Sequence, residues 1–283
     1  MNNLKYKILL IVLITIGAYF YYSNKYEELQ NVQNEITIEQ EVGESQLSPP
    51  ISFPVHGTIF LDSNIISYDD PSTFQTVTDA GKGMRNMFDR RVNEFTDTEA
   101  FLFNAIFDDG LKAEIQVNVE FQNVDAARLE AQKYAYEIGK LPTALRTELE
   151  TVWIHKGKEL YGGGNNNILI HTEQTIEYER DGILEETLVH EAAHTSLDPF
   201  YENSPAWLKC QKLDGKYISN YAEENPNRED IAETFLLYLA ARHKSDRISQ
   251  ALRDSILAQV PNRIIFFDSL NLDMYPIEEV VLK

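Results

Sequence analysis

The sequence predicts an α+β domain, and three observations carry that expectation. Residues 100–107 and 112–121 alternate apolar and polar side chains around Asp108-Asp109-Gly110, the pattern of a β-hairpin. Helical spacing begins over residues 124–139, where Gly139 supplies a stop, and takes over the chain from residue 183 onward. Apolar residues at 43% and charged residues at 25% of 283 positions suffice for one substantial core. That composition excludes a largely disordered, collagen-like or multi-span membrane protein.

Taken in order, the chain opens with an apolar run at residues 8–22 (ILLIVLITIGAYFYY) behind Lys5 and Lys7. A helix of that length spans about 22 Å against a hydrocarbon core of roughly 30 Å. Snorkelling lysines and interfacial Tyr19, Tyr21 and Tyr22 make up the difference. Residues 1–22 are therefore expected to be an uncleaved membrane anchor. A cleaved signal peptide is the alternative, although no small-residue cleavage site follows the run. The lysines ahead of it direct the bulk of the chain to the extracytoplasmic side, anchored or, after cleavage, secreted. Residues 23–54 form an acidic spacer that ends in Ser48-Pro49-Pro50 and Phe53-Pro54, and the folded domain is expected over residues 55–283.

Within that domain two further strands are expected at residues 151–155 and 167–172, joined through a flexible Gly162-Gly163-Gly164-Asn165-Asn166 link. Helices at 183–197, 204–213, 229–243 and 246–260 make a helical C-terminal half, with Pro205 and Pro226 at or just before helix starts. Trp153, Trp207, Phe266 and Phe267 belong to the expected core, and His171 is expected to face solvent rather than line a cleft. With 25 Lys+Arg against 45 Asp+Glu the chain carries −20, which argues against a nucleic-acid partner. Cys210 is the sole cysteine, so neither an intrachain disulfide nor a cysteine-rich zinc site can form.

The helix expected at 183–197 holds His190-Glu191-Ala192-Ala193-His194. Residues i and i+4 project from one helix face, so both imidazoles can grip one metal, and Glu191 beside them can serve as general base toward a water. A catalytic metal needs a third protein ligand and an open position. The completion with glycine and histidine three and six residues after His194 is absent, because Leu197 and Phe200 stand there. A downstream carboxylate remains, and Glu229 and Glu233, one helical turn apart in Glu-Asp-Ile-Ala-Glu-Thr-Phe, both qualify. Asp198 and Glu233, each one turn beyond a ligand candidate, are placed to orient the ligating side chains.

These two segments resemble the gluzincin zinc metallopeptidases, which join His-Glu-x-x-His to a downstream glutamate. The second segment is similar to that of the anthrax lethal factor and Pro-Pro endopeptidase group and of related bacterial zinc peptidases. The resemblance covers residues 183–240. It implies a zincin-like catalytic domain with one Zn2+ on His190, His194 and Glu229, Glu191 as the base, and Tyr221 steadying the oxyanion. It also implies a peptide or protein substrate. The chain departs from that group at Ala192-Ala193, where the group has a bulky residue and glycine, and in the spacing from the tyrosine to the third ligand. Two other functions fit the same residues: a different metal-dependent amide hydrolase acting on cell-wall peptides, and a catalytically silent, surface-anchored binding module.

Overall fold

A long antiparallel hairpin of β1 (Phe74–Asp89) and β2 (Glu94–Phe107) starts the sheet, and β3 (Lys112–Asn118) returns beside β2. With β4 (Thr151–His155), β5 (Gly162–Gly164) and β6 (Asn167–His171) the strand order is β1-β2-β3-β4-β6-β5. The computed structural model describes residues 52–61 and 65–278; the expected anchor at 1–22 and nearly all of the spacer lie outside the described residues. No helix among the described residues is long and apolar enough to cross a membrane.

β3, β4 and β6 run parallel, and a parallel step requires a crossover, which α1 (Val124–Ile138) provides between β3 and β4. Asn123 caps that helix by accepting from the Ala126 N–H at 2.9 Å. Its stripe of Ala127, Ala131, Tyr134 and Ile138 is buried on the sheet. The period of two along β2 sends Phe101, Phe103, Ala105 and Phe107 into the main core, while Ala100 and Leu102 join Met87 and Trp153 on the opposite face.

The Gly162-Gly163-Gly164 link is not a free loop. It is an edge strand paired antiparallel to β6, and Asn165 and Asn166, both at positive φ (51° and 58°), make the two-residue turn between them. His171 corrects a second expectation: it is fully buried, because Asn167–His171 has neighbours on both faces.

Helices follow in close succession: α2 (Thr143–Arg146), α3 (Thr172–Asp181), α4 (Leu184–Ser196), α5 (Asp198–Tyr201), α6 (Pro205–Asp214), α7 (Asn220–Glu224), α8 (Asp230–His243), α9 (Gln250–Gln259) and α10 (Pro261–Leu270). The fold is thus α+β, a mixed sheet followed by a helical half. β1, α3 and α10, with the short helices α2, α5 and α7, go beyond the expected elements. α9 starts at Gln250 rather than near 246, because Ser249 accepts the Leu252 N–H and sets the cap there. α8 is buried on every side from Asp230 to Ala241, and its polar residues there, Asp230, Glu233 and Thr234, all lie in its first turns. It packs against α4, so that His190 and His194 on α4 face Glu229 at the N-terminal cap of α8.

Candidate metal centre

α4 sits where it does because small residues and two hydroxyls let it approach the sheet edge. Ala192 and Ala193 are fully buried. The Thr195 hydroxyl donates to the Asn167 carbonyl at 2.7 Å and accepts from the Gly164 N–H at 2.9 Å. Ser196 donates to the Leu145 carbonyl at 2.7 Å. β5 lies so close that a Cβ on Gly163 would stand 1.9 Å from the Glu191 carbonyl oxygen. This contact fixes the turn of α4 bearing the His-Glu-x-x-His residues.

Glu229 immediately precedes α8, and the neighbouring Asp230 anchors that end. Fully buried Arg263 on α10 places Nε 2.9 Å from Asp230 Oδ2, and Gln211 donates to the same oxygen at 2.8 Å. Burial pushes the Asp230 carboxyl up to about 6, partly offset by Arg263. The N-terminal strap reaches the centre as well. The Ile59 N–H donates to Glu233 Oε2 at 2.9 Å, and the Leu61 N–H to Glu186 Oε2 at 2.8 Å.

Three donor atoms converge between the two helices. His190 Nε2 and His194 Nε2 are 3.1 Å apart, and Glu229 Oε2 lies 3.3 Å from the first and 3.2 Å from the second. That oxygen is buried, yet neither contact has the geometry of a hydrogen bond. A tetrahedral cation with bonds of about 2.0–2.1 Å has ligand-to-ligand edges of about 3.3 Å. These three residues therefore fit a small divalent cation and could hold one.

The surroundings prepare the ligands. His194 Nδ1 is 2.6 Å from Asp198 Oδ2, which leaves Nε2 facing the centre, and His190 Nδ1 is 3.6 Å from Glu233 Oε1. Tyr221 donates to Glu229 Oε1 at 3.0 Å, leaving Oε2 as the oxygen that faces the imidazoles. Burial opposes a charge on His194, but Asp198 and Glu229 outweigh it and lift the imidazole to about 10. Burial likewise opposes ionisation of Glu229, and the two histidines reverse this, holding its carboxyl well below the usual range. A cation bound here must displace the His194 proton, so its uptake weakens as the pH falls. Burial, then the Glu229 charge, pushes the Tyr221 phenol up to about 12.

No family model matches this chain, nor does any curated protein or solved structure. The functional reading therefore rests on the residues themselves. Every ligand candidate named from sequence, together with Glu191 and Tyr221, lines one cleft of about 560 Å³, apart from Glu233, which lies behind His190. Sequence reasoning missed other walls: Thr58 and Phe60 from the strap, Arg90 from the β1–β2 turn, Leu160 and Tyr161 before β5, Tyr178 on α3, Thr187 on α4, and Arg228. Arg228 and Thr187 carried a local signal, the first by preceding Glu229 and the second by standing one helical turn before His190. The others arrive through contacts between distant parts of the chain.

Proposed function

We propose that the chain is a zinc-dependent peptidase of the zincin type, with His190, His194 and Glu229 holding the metal. The observation that carries this reading is the set of donor separations of 3.1, 3.2 and 3.3 Å, opening onto a cleft that Glu191 also lines. Bound zinc supplies Lewis acidity, which lowers the pKa of water toward ~7 and polarises a carbonyl. The chain's own residues do the rest. Glu191 takes the proton from the attacking water and delivers it to the leaving amine. Asp198 and Glu233 keep the imidazoles aimed with Nε2 forward. Tyr221 holds Glu229 through Oε1, and to steady an oxyanion it must exchange that bond for one to the substrate. The apolar run at 8–22 behind Lys5 and Lys7 supports action outside the cytoplasm, at a membrane surface.

The test is digestion of a broad peptide library by the zinc-loaded full chain, read by mass spectrometry, beside Glu191→Gln. That variant keeps size and hydrogen bonding but removes the base. Zinc content should hold while cleavage falls about 10²–10⁴-fold. Cleavage untouched by Glu191→Gln would refute the mechanism, and a zinc-loaded wild type that cleaves no peptide would refute the function.

A further inference from the structure

Arg90 stands out among the cleft's walls. It lies in the turn between β1 and β2, and that hairpin carries it across to the far edge of the sheet. There Nη2 donates to the Tyr161 carbonyl at 3.0 Å. A Cβ on Gly162 would come within 2.8 Å of the same nitrogen, so the guanidinium lies directly against the start of β5. Its valence is unfilled. The neighbouring Arg91 pairs with Asp89 and Glu120 at 2.7 and 2.8 Å, and Arg85, Arg146 and Arg263 also sit on carboxylates. Among the described residues no carboxylate lies within 4.0 Å of Arg90, and its Nε is buried with no acceptor. A buried donor without a partner is costly and rare, and an arginine fork is shaped to take a carboxylate through two parallel N–H bonds.

The charge balance points the same way. Around a chain of net charge −20, an acidic ligand meets repulsion almost everywhere. The cleft differs, because Arg90 and Arg228 there face Glu191 and Glu229. Arg228 Nε lies 3.3 Å from Glu229 Oε1 and is engaged with that candidate ligand. A divalent cation at the centre would leave the cleft net positive, with Arg90 as the cationic group not yet committed to a carboxylate.

We propose that Arg90 binds a carboxylate of the substrate, so that the substrate class of this cleft is acidic peptides. This rests on the peptidase reading and names the substrate for that site. The carboxylate is either an aspartate or glutamate side chain near the scissile bond or the free C-terminus of a short peptide. In both cases the two Nη groups donate to its oxygens, Nη2 through the N–H it does not give to the Tyr161 carbonyl.

The experiment uses the zinc-loaded full chain and matched peptide pairs, Asp against Asn and Glu against Gln, at each position flanking the cleavage site. Each peptide is made with a free and an amidated C-terminus. At one position the acidic peptide should be preferred by about 10- to 100-fold in kcat/KM. If peptides with a free C-terminus are instead preferred over their amidated forms by that factor, whichever member of the side-chain pair they carry, the recognised group is the C-terminus. Arg90→Gln should collapse the acid-to-amide ratio to near one, and Arg90→Glu should turn it toward lysine-bearing peptides. Arg90→Lys should keep part of it, since it retains the charge but loses the fork. In the Glu191→Gln background, calorimetric titration of the same pairs should reproduce the ratio as binding affinity without turnover. A role confined to holding the Tyr161 carbonyl would lower the melting temperature of Arg90→Gln and leave the ratio intact. That result, or peptide cleavage by the wild type with no preference for an acidic side chain or for a free over an amidated C-terminus, overturns the proposal while the peptidase reading stands. Zinc-loaded wild type that cleaves nothing, with a Glu191→Gln form that binds nothing, overturns both.

Discussion

Gly163→Ala is a one-carbon change whose effect on the proposed centre can be worked out from the contact it makes. The added Cβ would meet the Glu191 carbonyl oxygen at 1.9 Å, its carbonyl carbon at 2.6 Å and its Cα at 2.8 Å. All three are helix backbone, so no side chain can swing away to make room. β5 and α4 must part by about 1 Å in a close-packed interior. Overpacking of this kind costs about 1–3 kcal/mol, and a rigid obstacle argues for the upper end. Loss of glycine's freedom in the unfolded chain returns about 0.4–1 kcal/mol, leaving a net cost of about 2 kcal/mol. For a domain of this size that lowers the melting temperature by about 4–8 °C. The displaced turn bears Glu191 between both histidines, and a 1 Å misplacement of such groups costs about 10²-fold in kcat/KM. Thermal melts and peptide kinetics read the two effects. Gly164→Ala is the control: its Cβ meets nothing within 4 Å, but φ is +121°, so it should lower the melting temperature with little loss of activity. A Gly163→Ala protein that melts within about 1 °C of wild type and retains full activity would refute the packing account of α4.

Glu229→Ala should empty the site, while Asp198→Ala and Glu233→Ala should weaken zinc affinity or activity by only about 10–100-fold, measured by competition with a chelator. A site emptied by Glu233→Ala and left loaded by Glu229→Ala would shift the ligand register by one helical turn. The buried His155–His171 pair, stacked with ring centroids 5.5 Å apart, predicts loss of stability in acid. Burial holds His155 down to about 4 and lowers His171 too, while Asp89, Arg91 and Glu120 on the neighbouring segments and Glu159 and Lys156 nearby only modulate this. The unfolded chain takes up these protons near pH 6.5 and the native chain does not, so stability is full above that pH and declines as the pH falls toward 4. For His155 alone the loss approaches about 3 kcal/mol. Urea unfolding from pH 7.5 to 4.5 should show a slope that His155→Gln flattens; an unchanged slope would contradict the assignment.

How much of this was legible beforehand depended on how local each signal was. His190, Glu191 and His194 lie within five residues of one another, and helix geometry alone places the two histidines on a common face with Glu191 beside the first. Glu229 needed a second short segment and came together with them. The hairpin of β2 and β3 was readable because its side chains alternate between apolar and polar around a turn signal. β1 was not, because it is an edge strand exposed along most of its length and shows no alternation. Residues 162–164 have the composition of a flexible link, yet they pair with β6 as a strand, and at Gly163 the α4 backbone occupies the space where a side chain would stand. His171 was expected in solvent because a five-residue run cannot reveal that both of its faces are covered. The strap bond from Ile59 to Glu233 joins residues 174 positions apart, and Arg90 meets the cleft through the curl of a long hairpin. Such contacts leave no mark in local spacing.

The central claim is that His190, His194 and Glu229 form one metal site, and elemental analysis of the purified full chain after zinc exposure at neutral pH tests it most directly. The account predicts about one zinc per chain, lost together in His190→Ala, His194→Ala and Glu229→Ala proteins that remain folded by circular dichroism. A folded wild-type chain that stays metal-free, or ligand variants that bind zinc as the wild type does, would contradict it.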